Sequence, residues 1–260
     1  LPVQSKMRRC LLDDDGNVNY YLDDNDSTLR ADGNAAVLDG SEGQVMVEIP
    51  RHWRKFQTEN NIHRVLVSMT PFEGSHEVPL SYVSAYKAAL ERSTSKLSSV
   101  VNTDVDYRGG NNSSANDANS ATLLGKPVTY KSRIDFRNYA QNRNGDWYDM
   151  DYKVRKTVYW LITIEYANRN HQVAVNNTLT AEGYKKGGLG TGPTDLNNSD
   201  WSTFNSRYPV YSCGLTNSLG NSSGEVPLTI QDFPTAGASV TTQANSYRGI
   251  ENFFGDIFEW

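Results

Sequence analysis

The residues of this chain that could carry chemistry are a lysine–glycine run, two Asp-rich clusters, four histidines and two cysteines. Lys185-Lys186-Gly187-Gly188-Leu189-Gly190-Thr191-Gly192 has the composition of a phosphate-cradling loop. Its lysines precede its glycines, however, and no apolar strand feeds it, so the order G-x-x-x-x-G-K-S/T is not met. Glycines in such a run serve turns, and a surface or packing loop is expected. The clusters Asp13-Asp14-Asp15-Gly16-Asn17 and Asp23-Asp24-Asn25-Asp26 offer the oxygens that a calcium ion needs. Neither keeps the register of a calcium-binding EF-hand loop, and both read as solvated turns. His52, His63, His76 and His171 show no H-x-x-x-H spacing, and Cys10 and Cys213 have no C-x-x-C partner. A dyad of Cys213 with a remote histidine competes with the commoner state of a buried free thiol. Free thiols are expected at both cysteines, and no catalytic residue, metal ligand or cofactor is assigned.

The aromatic residues open a different possibility. Trp147, Tyr148, Tyr184, Trp201, Phe204, Tyr208 and Tyr211 lie in or beside polar loops. Tyr and Trp supply large contact area at low entropic cost, which suits a binding surface. In an irregular domain the same rings commonly serve as buried mass. Trp147, Tyr148, Trp201 and Tyr208 are the candidate ligand-contacting residues of the first reading.

With 260 residues, 15 Tyr and 5 Trp, the chain has the apolar mass to build a sizeable core. A net charge of −5 does not fit a nucleic-acid footprint, which needs clustered positive charge. The sequence has no run of about 18 apolar residues, so no membrane insertion is expected. The N-x-S/T triplets at Asn111, Asn112, Asn176, Asn197 and Asn221 follow from Asn/Ser-rich loops and are weak evidence of glycosylation.

These residues must be positioned by elements that the pattern partly reveals. Residues 1–43 are turn-rich, with Val18-Asn19-Tyr20-Tyr21-Leu22 a strand between Asp/Asn/Gly clusters. Gln44-Val45-Met46-Val47-Glu48-Ile49-Pro50 is β-branched, imperfectly alternating and closed by proline, as a mostly buried strand would be. Val65-Leu66-Val67 is a second such run. Tyr82-Val83-Ser84-Ala85-Tyr86 fits strand or helix equally. Residues 108–121 are polar, low-complexity and loop-like. Ser132-Arg133-Ile134-Asp135 resembles a capping box opening a helix whose inner stripe is Phe136, Tyr139 and Ala140, with Asn144-Gly145 as its stop. A second helix follows Asp149-Met150-Asp151. Val154, Val158, Leu161 and Ile162 form one stripe; Trp160, Ile164 and Ala167 form another, so cover on two sides is expected. Arg169 and His171 are placed at its C-terminal end. Beyond residue 183 irregular structure with few regular elements is expected.

The closing run Tyr247-Arg248-Gly249-Ile250-Glu251-Asn252-Phe253-Phe254-Gly255-Asp256-Ile257-Phe258-Glu259-Trp260 resembles the "YRGIENPFGNIWEW" run of phage tail and receptor-binding-like proteins of gut bacteria and their phages. It is also similar to the "GNVWEW" signature of the formylglycine-generating-enzyme branch of the C-type lectin fold. Further blocks fit the tail-protein pattern: Lys6-Met7-Arg8-Arg9-Cys10, Gly43 to Pro50, Tyr82 to Tyr86, Phe136 to Ala140 and Trp160 to Asn168. Phe253-Phe254, in place of the usual "NPF" or "NLW", and Phe258, where Trp is commoner, depart from it and keep aromatic bulk. The resemblance implies a single α+β domain over 1–260, C-type-lectin-like, with two helices packed on a small twisted antiparallel sheet and long irregular loops. It favours the strand reading of 82–86. It implies relatives that continue past Trp260, where the ligand-displaying loops of the family and the catalytic cysteines of the enzyme branch lie; Cys10 and Cys213 match neither of those cysteines. The expected role is a non-enzymatic phage virion protein, a tail or fibre appendage that binds a host cell-surface glycan or protein. Expected partners include other virion subunits and further copies of itself, with a trimer by analogy. The alternatives are a formylglycine-generating-type enzyme, an adhesin on the bacterial cell surface and a purely architectural virion subunit.

Overall fold

The computed structural model describes residues 1–110, 124–179, 212–231 and 239–253. Along the chain come β1 (Arg8–Leu12), β2 (Val18–Tyr21), β3 (Gln44–Ile49), β4 (His52–Glu59), β5 (Ile62–Ser68), β6 (His76–Val78), β7 (Ser81–Ser84), β8 (Ala89–Glu91) and β9 (Lys96–Ser98). The helices α1 (Arg133–Gln141), α2 (Tyr152–Tyr166) and α3 (His171–Val175) follow, then β10 (Gly224–Gln231), β11 (Ser239–Tyr247) and β12 (Ile250–Glu251).

β3 is buried at all six positions, as its near-continuous apolar sequence requires. It is an inner strand of the antiparallel order β2-β1-β3-β7, so both its edges are paired. One face, with Val45, Val47 and Ile49, enters the main core, where Val158, Leu161 and Ile162 of α2 and Tyr247, Ile250 and Phe253 of the closing run meet it. On the other face, Met46 packs with Cys10 and Leu12, flanked by Tyr21, Tyr82 and Trp147. Glu48 on that face accepts hydrogen bonds from the Tyr21 hydroxyl (2.8 Å) and the Tyr82 hydroxyl (3.4 Å) and pairs with Arg8. The two strands of the turn-rich N-terminal segment thus belong to the same sheet as β3.

The expectation of two helices on one small sheet is corrected. Among the described residues there are three α-helices and four separate small antiparallel sheets: β2-β1-β3-β7, β5-β4-β6, β8-β9 and β10-β11-β12. The reason is the length and burial of the elements. Most strands have only two to six residues, too short to build one continuous sheet across the core. Of the helices expected to cover that sheet, α1 buries only Ala140; Phe136 and Tyr139 are half-covered and Ile134 is exposed. The C-type-lectin-like fold class expected from the resemblance does not describe this arrangement.

Locally the chain follows its caps. Ser132 accepts from the Asp135 backbone N–H while Asp135 accepts from that of Ser132, a complete capping box. The helix ends at Gln141, before the expected stop. Asp151 caps α2 by accepting from Val154 N–H at 2.8 Å. Residues 81–84 form a strand, and Val18–Tyr21 and Ile62–Ser68 are strands over the expected runs. Beyond residue 183 the described residues include one feature that was not expected, the β10–β11 hairpin, whose strands pair over eight residues. β10 is an edge strand, so Pro227 costs no inner ladder bond there.

A buried polar network ties the two ends of the chain. Arg9 is fully buried. Its guanidinium donates to Gly249 O (2.7 Å), Ser27 Oγ (3.1 Å), Asn217 Oδ1 (2.7 Å) and Thr216 Oγ1 (3.1 Å). The Thr216 hydroxyl donates onward to Glu251 Oε2 (2.8 Å), and Glu251 also accepts from Gly214 N–H and Thr216 N–H. Gly249 has φ +86°, so the backbone favours glycine in the closing run, and a Cβ there would also crowd Arg9 Cγ at 3.1 Å.

Candidate binding surface

The core takes the face of α2 that carries Thr157, Val158, Leu161 and Ile162. With 3.6 residues per turn, Tyr152, Lys156, Tyr159, Trp160 and Thr163 are left on the opposite side. Lys156 lies four residues after Tyr152 and four before Trp160, and Arg155 four before Tyr159, a spacing that puts cation and ring on neighbouring turns.

Two elements frame this outer face. On one side is β4, whose alternation puts His52, Arg54 and Phe56 on a common face. Phe56 is 43% exposed and meets Trp160 edge-on, ring centroids 5.1 Å apart, with His76 stacked beyond it at 6.3 Å. On the other side the chain reverses after α2 at Ala167, which is left-handed (φ 49°), and α3 begins under the Asn170 cap. Arg169 and His171, expected at the end of α2, lie beyond it: Arg169 precedes the cap and His171 opens the short third helix.

His171 is buried against α2, its ring centroid 4.5 Å from that of Tyr159. Its Nε2 lies 2.8 Å from Thr163 Oγ1. The Thr163 hydroxyl already donates its one proton to Tyr159 O (2.8 Å), so His171 Nε2 carries the hydrogen that Thr163 accepts. Burial, then the charge of Arg155, holds the His171 pKa below its ordinary value.

The cations of this region face rings. Arg54 lies 5.2 Å from the Phe56 ring, Lys156 5.6 Å from Phe56 and 5.7 Å from Tyr152, Arg169 6.0 Å from Trp160 and Arg155 3.9 Å from Phe253. Arg54 is only 8% exposed, and its Nε and Nη1 have no hydrogen-bond partner among the described residues. An open cleft of about 430 Å³ lies at the α2–α3 junction, lined among the described residues by Arg155, Tyr159, Arg169, Asn170, His171, Gln172 and Phe253, none of them a carboxylate. Arg8, Arg30 and Arg143 also face rings, those of Tyr21, Tyr20 and Trp147, but each of them pairs besides with an Asp or Glu, as does Arg248.

The residues expected from sequence fall elsewhere. Trp147 is half-buried; its indole N–H donates to Asp14 O at 2.9 Å and its ring packs beside Cys10, Leu12 and Met46, a structural role. Tyr148 is 64% exposed. Trp201 and Tyr208, with Tyr184, Phe204 and Tyr211, lie outside the described residues, as do the lysine–glycine run 185–192, Asn111, Asn112, Asn197 and the end of the closing run from Phe254. Of the residues that do gather, Phe56, Tyr159, Trp160, Arg169 and His171, only Trp160 stood in an expected stripe of α2; the i, i+4 spacing of Arg155 to Tyr159 and Lys156 to Trp160 is a signal that could have added Tyr159, and none pointed to Phe56.

The other candidates take structural roles. Asp13 accepts from Asn17 N–H (2.7 Å), and Asp23 from Asn25 and Asp26 N–H, which makes both acidic clusters hydrogen-bonded turns. No group of three or more metal-ligating side chains occurs among the described residues. Cys10 and Cys213 are buried thiols outside any disulfide, as expected. Burial pushes the Cys10 thiol up to about 12, the reverse of what a nucleophile needs. Asn221 is buried with its amide donating to Asp24, and the Asn176 amide donates to Glu225.

No family model matches this chain, and neither a curated protein nor a solved structure matches it.

Proposed function

We propose that this protein is a non-enzymatic recognition module of a phage tail or fibre appendage, and that it attaches to the host cell surface through the outer face of α2. The observation that carries the reading is the half-exposed aromatic–cation surface of Phe56, Tyr159, Trp160, Lys156 and Arg169 beside an open cleft. Rings held by packing present area without losing much entropy on binding, and arginine and aromatic residues are the types enriched where recognition energy concentrates. The resemblance of Tyr247 to Trp260 to the closing run of tail proteins supports the virion setting. An additional support is that this run packs against α2: Tyr247 and Arg248 both bind Glu165, and Phe253 lies under Arg155.

The test is binding of the fluorescently labelled full chain to a panel of gut bacterial isolates, with competition against phage adsorption. Saturable binding to a subset of isolates, lost in Phe56→Ala/Trp160→Ala, is the expected result. Failure to bind any isolate, or binding unchanged in the double variant, would overturn the proposal.

A further inference from the structure

We infer that the α2 face takes an anionic saccharide, a pyranose chain carrying carboxylate or phosphate groups; this rests on the recognition role proposed above and names the ligand class of the same surface.

Three features point to it together. The first is charge. In a chain of net charge −5, Arg54, Lys156 and Arg169 cluster around Phe56 and Trp160 and form no ion pair with a carboxylate among the described residues. A guanidinium as buried as that of Arg54, with two unsatisfied N–H positions, is a costly arrangement until an anion approaches it. The second is shape. Phe56, Trp160 and Tyr159 follow one another edge to face, at 5.1 and 5.2 Å, and present half-exposed rings against which the C–H face of a sugar ring can lie. The third is the polar inventory of the adjoining cleft. Gln172 supplies an amide that both donates and accepts, as sugar hydroxyls require, Asn170 adds amide donors while its oxygen caps α3, and Arg169 supplies a fork that matches a carboxylate or phosphate. A flat apolar patch alone would suit a protein partner. Cations without carboxylate partners beside paired amides suit an acidic sugar better.

The experiment uses the full chain against immobilised oligosaccharides. The probes are oligomers of galacturonate, guluronate and sialate and a glycerol-phosphate polymer bearing sugars, each with its neutral counterpart (methyl ester or dephosphorylated form), plus a short single-stranded oligonucleotide. At least one acidic probe is expected to bind about tenfold or more tighter than its neutral counterpart, the factor of one charge-assisted hydrogen bond. Added salt should weaken it. The separate carboxylate and phosphate arms identify the source of the charge. Lys156→Gln/Arg169→Gln should cut binding of that acidic probe about tenfold while leaving the thermal midpoint unchanged, and Trp160→Ala should abolish it. Equal binding of acidic and neutral forms overturns the inference, as does tighter binding of the oligonucleotide than of every saccharide. So does an array with no acidic binder from a chain that still binds cells, in which case the recognition role stands and only its ligand class falls. A chain that binds no cells defeats the recognition role itself.

Discussion

Arg9 and Arg54 are both arginines on strands, both lie under a tenth exposed and each stands 5.2 Å from a ring, that of Tyr86 or Phe56, yet their hydrogen bonding is opposite. Arg9 makes four hydrogen bonds through its guanidinium and reaches Glu251 through the hydroxyl of Thr216. Arg54 faces the Phe56 ring and leaves Nε and Nη1 unsatisfied. The first region contributes internal cohesion. The second holds positive charge in reserve at the edge of solvent. A satisfied network specifies one arrangement of the chain, whereas a cation left with only a ring keeps most of its attraction for something outside the protein.

Four substitutions break or sharpen that contrast, in descending order of expected effect on stability. Arg9→Met should cost about 3–5 kcal/mol, because Asn217, Thr216 and Glu251 would be left buried around a missing cation. Urea unfolding measures it, and a loss under about 1 kcal/mol would show that the network is not a source of cohesion. Trp160→Ala should cost about 2 kcal/mol, below the range of a fully buried ring because Trp160 is half-covered. A cost as large as that of Arg9→Met would make the outer face of α2 part of the core and remove the distinction.

His52 supplies the third test, through pH. It is fully buried, its Nδ1 lies 2.8 Å from Pro50 O, and its Nε2 has no partner among the described residues. Burial, reinforced by the charge of Arg54, holds its pKa below the ordinary 6.5. The unfolded chain therefore takes up a proton as pH falls below that value while the folded protein resists it, so this contribution to stability is present above 6.5 and is lost on acidification toward the folded pKa. His171 acts in the same direction. Urea midpoints at about pH 7.5 and 5.5 should drop more in the native protein than in His52→Asn; equal drops would mean that the proton is taken up elsewhere. The smallest effect belongs to Arg169→Gln. An exposed cation with only a ring at 6.0 Å should change stability by no more than about 0.5 kcal/mol by thermal melt, so any loss of saccharide binding in this variant reports on recognition rather than on folding.

How much of this was legible in the sequence depends on the range of the interaction. The buried strand at 44–49, the capping box at Ser132 and the Asp151 start of α2 all appear as read, because each rests on neighbours within a few residues. The β10–β11 hairpin was missed: Gly224-Glu225-Val226-Pro227 carries a proline and little alternation, and its strands are held by each other. The expected site aromatics were chosen for their loop context, which does not separate Trp147, clamped to Asp14, from an exposed ring such as Tyr148. Phe56 and Trp160 lie more than a hundred positions apart, and no spacing rule joins them. The two-helix, one-sheet expectation failed for a related reason. Amphipathic stripes say that a helix has an inner face, not which sheet covers it.

By itself the amino-acid sequence determined the caps, the glycine of the closing run, and the apolar stripe that sends one side of α2 inward. Only the tertiary structure decided that Arg9 would be enclosed by residues some two hundred positions away, and that Arg54, Lys156 and Arg169 would meet rings instead of carboxylates. The physical reason is that a cap chooses among a handful of nearby donors, whereas the partner of a long cationic side chain is whatever the packing of distant elements brings within its reach.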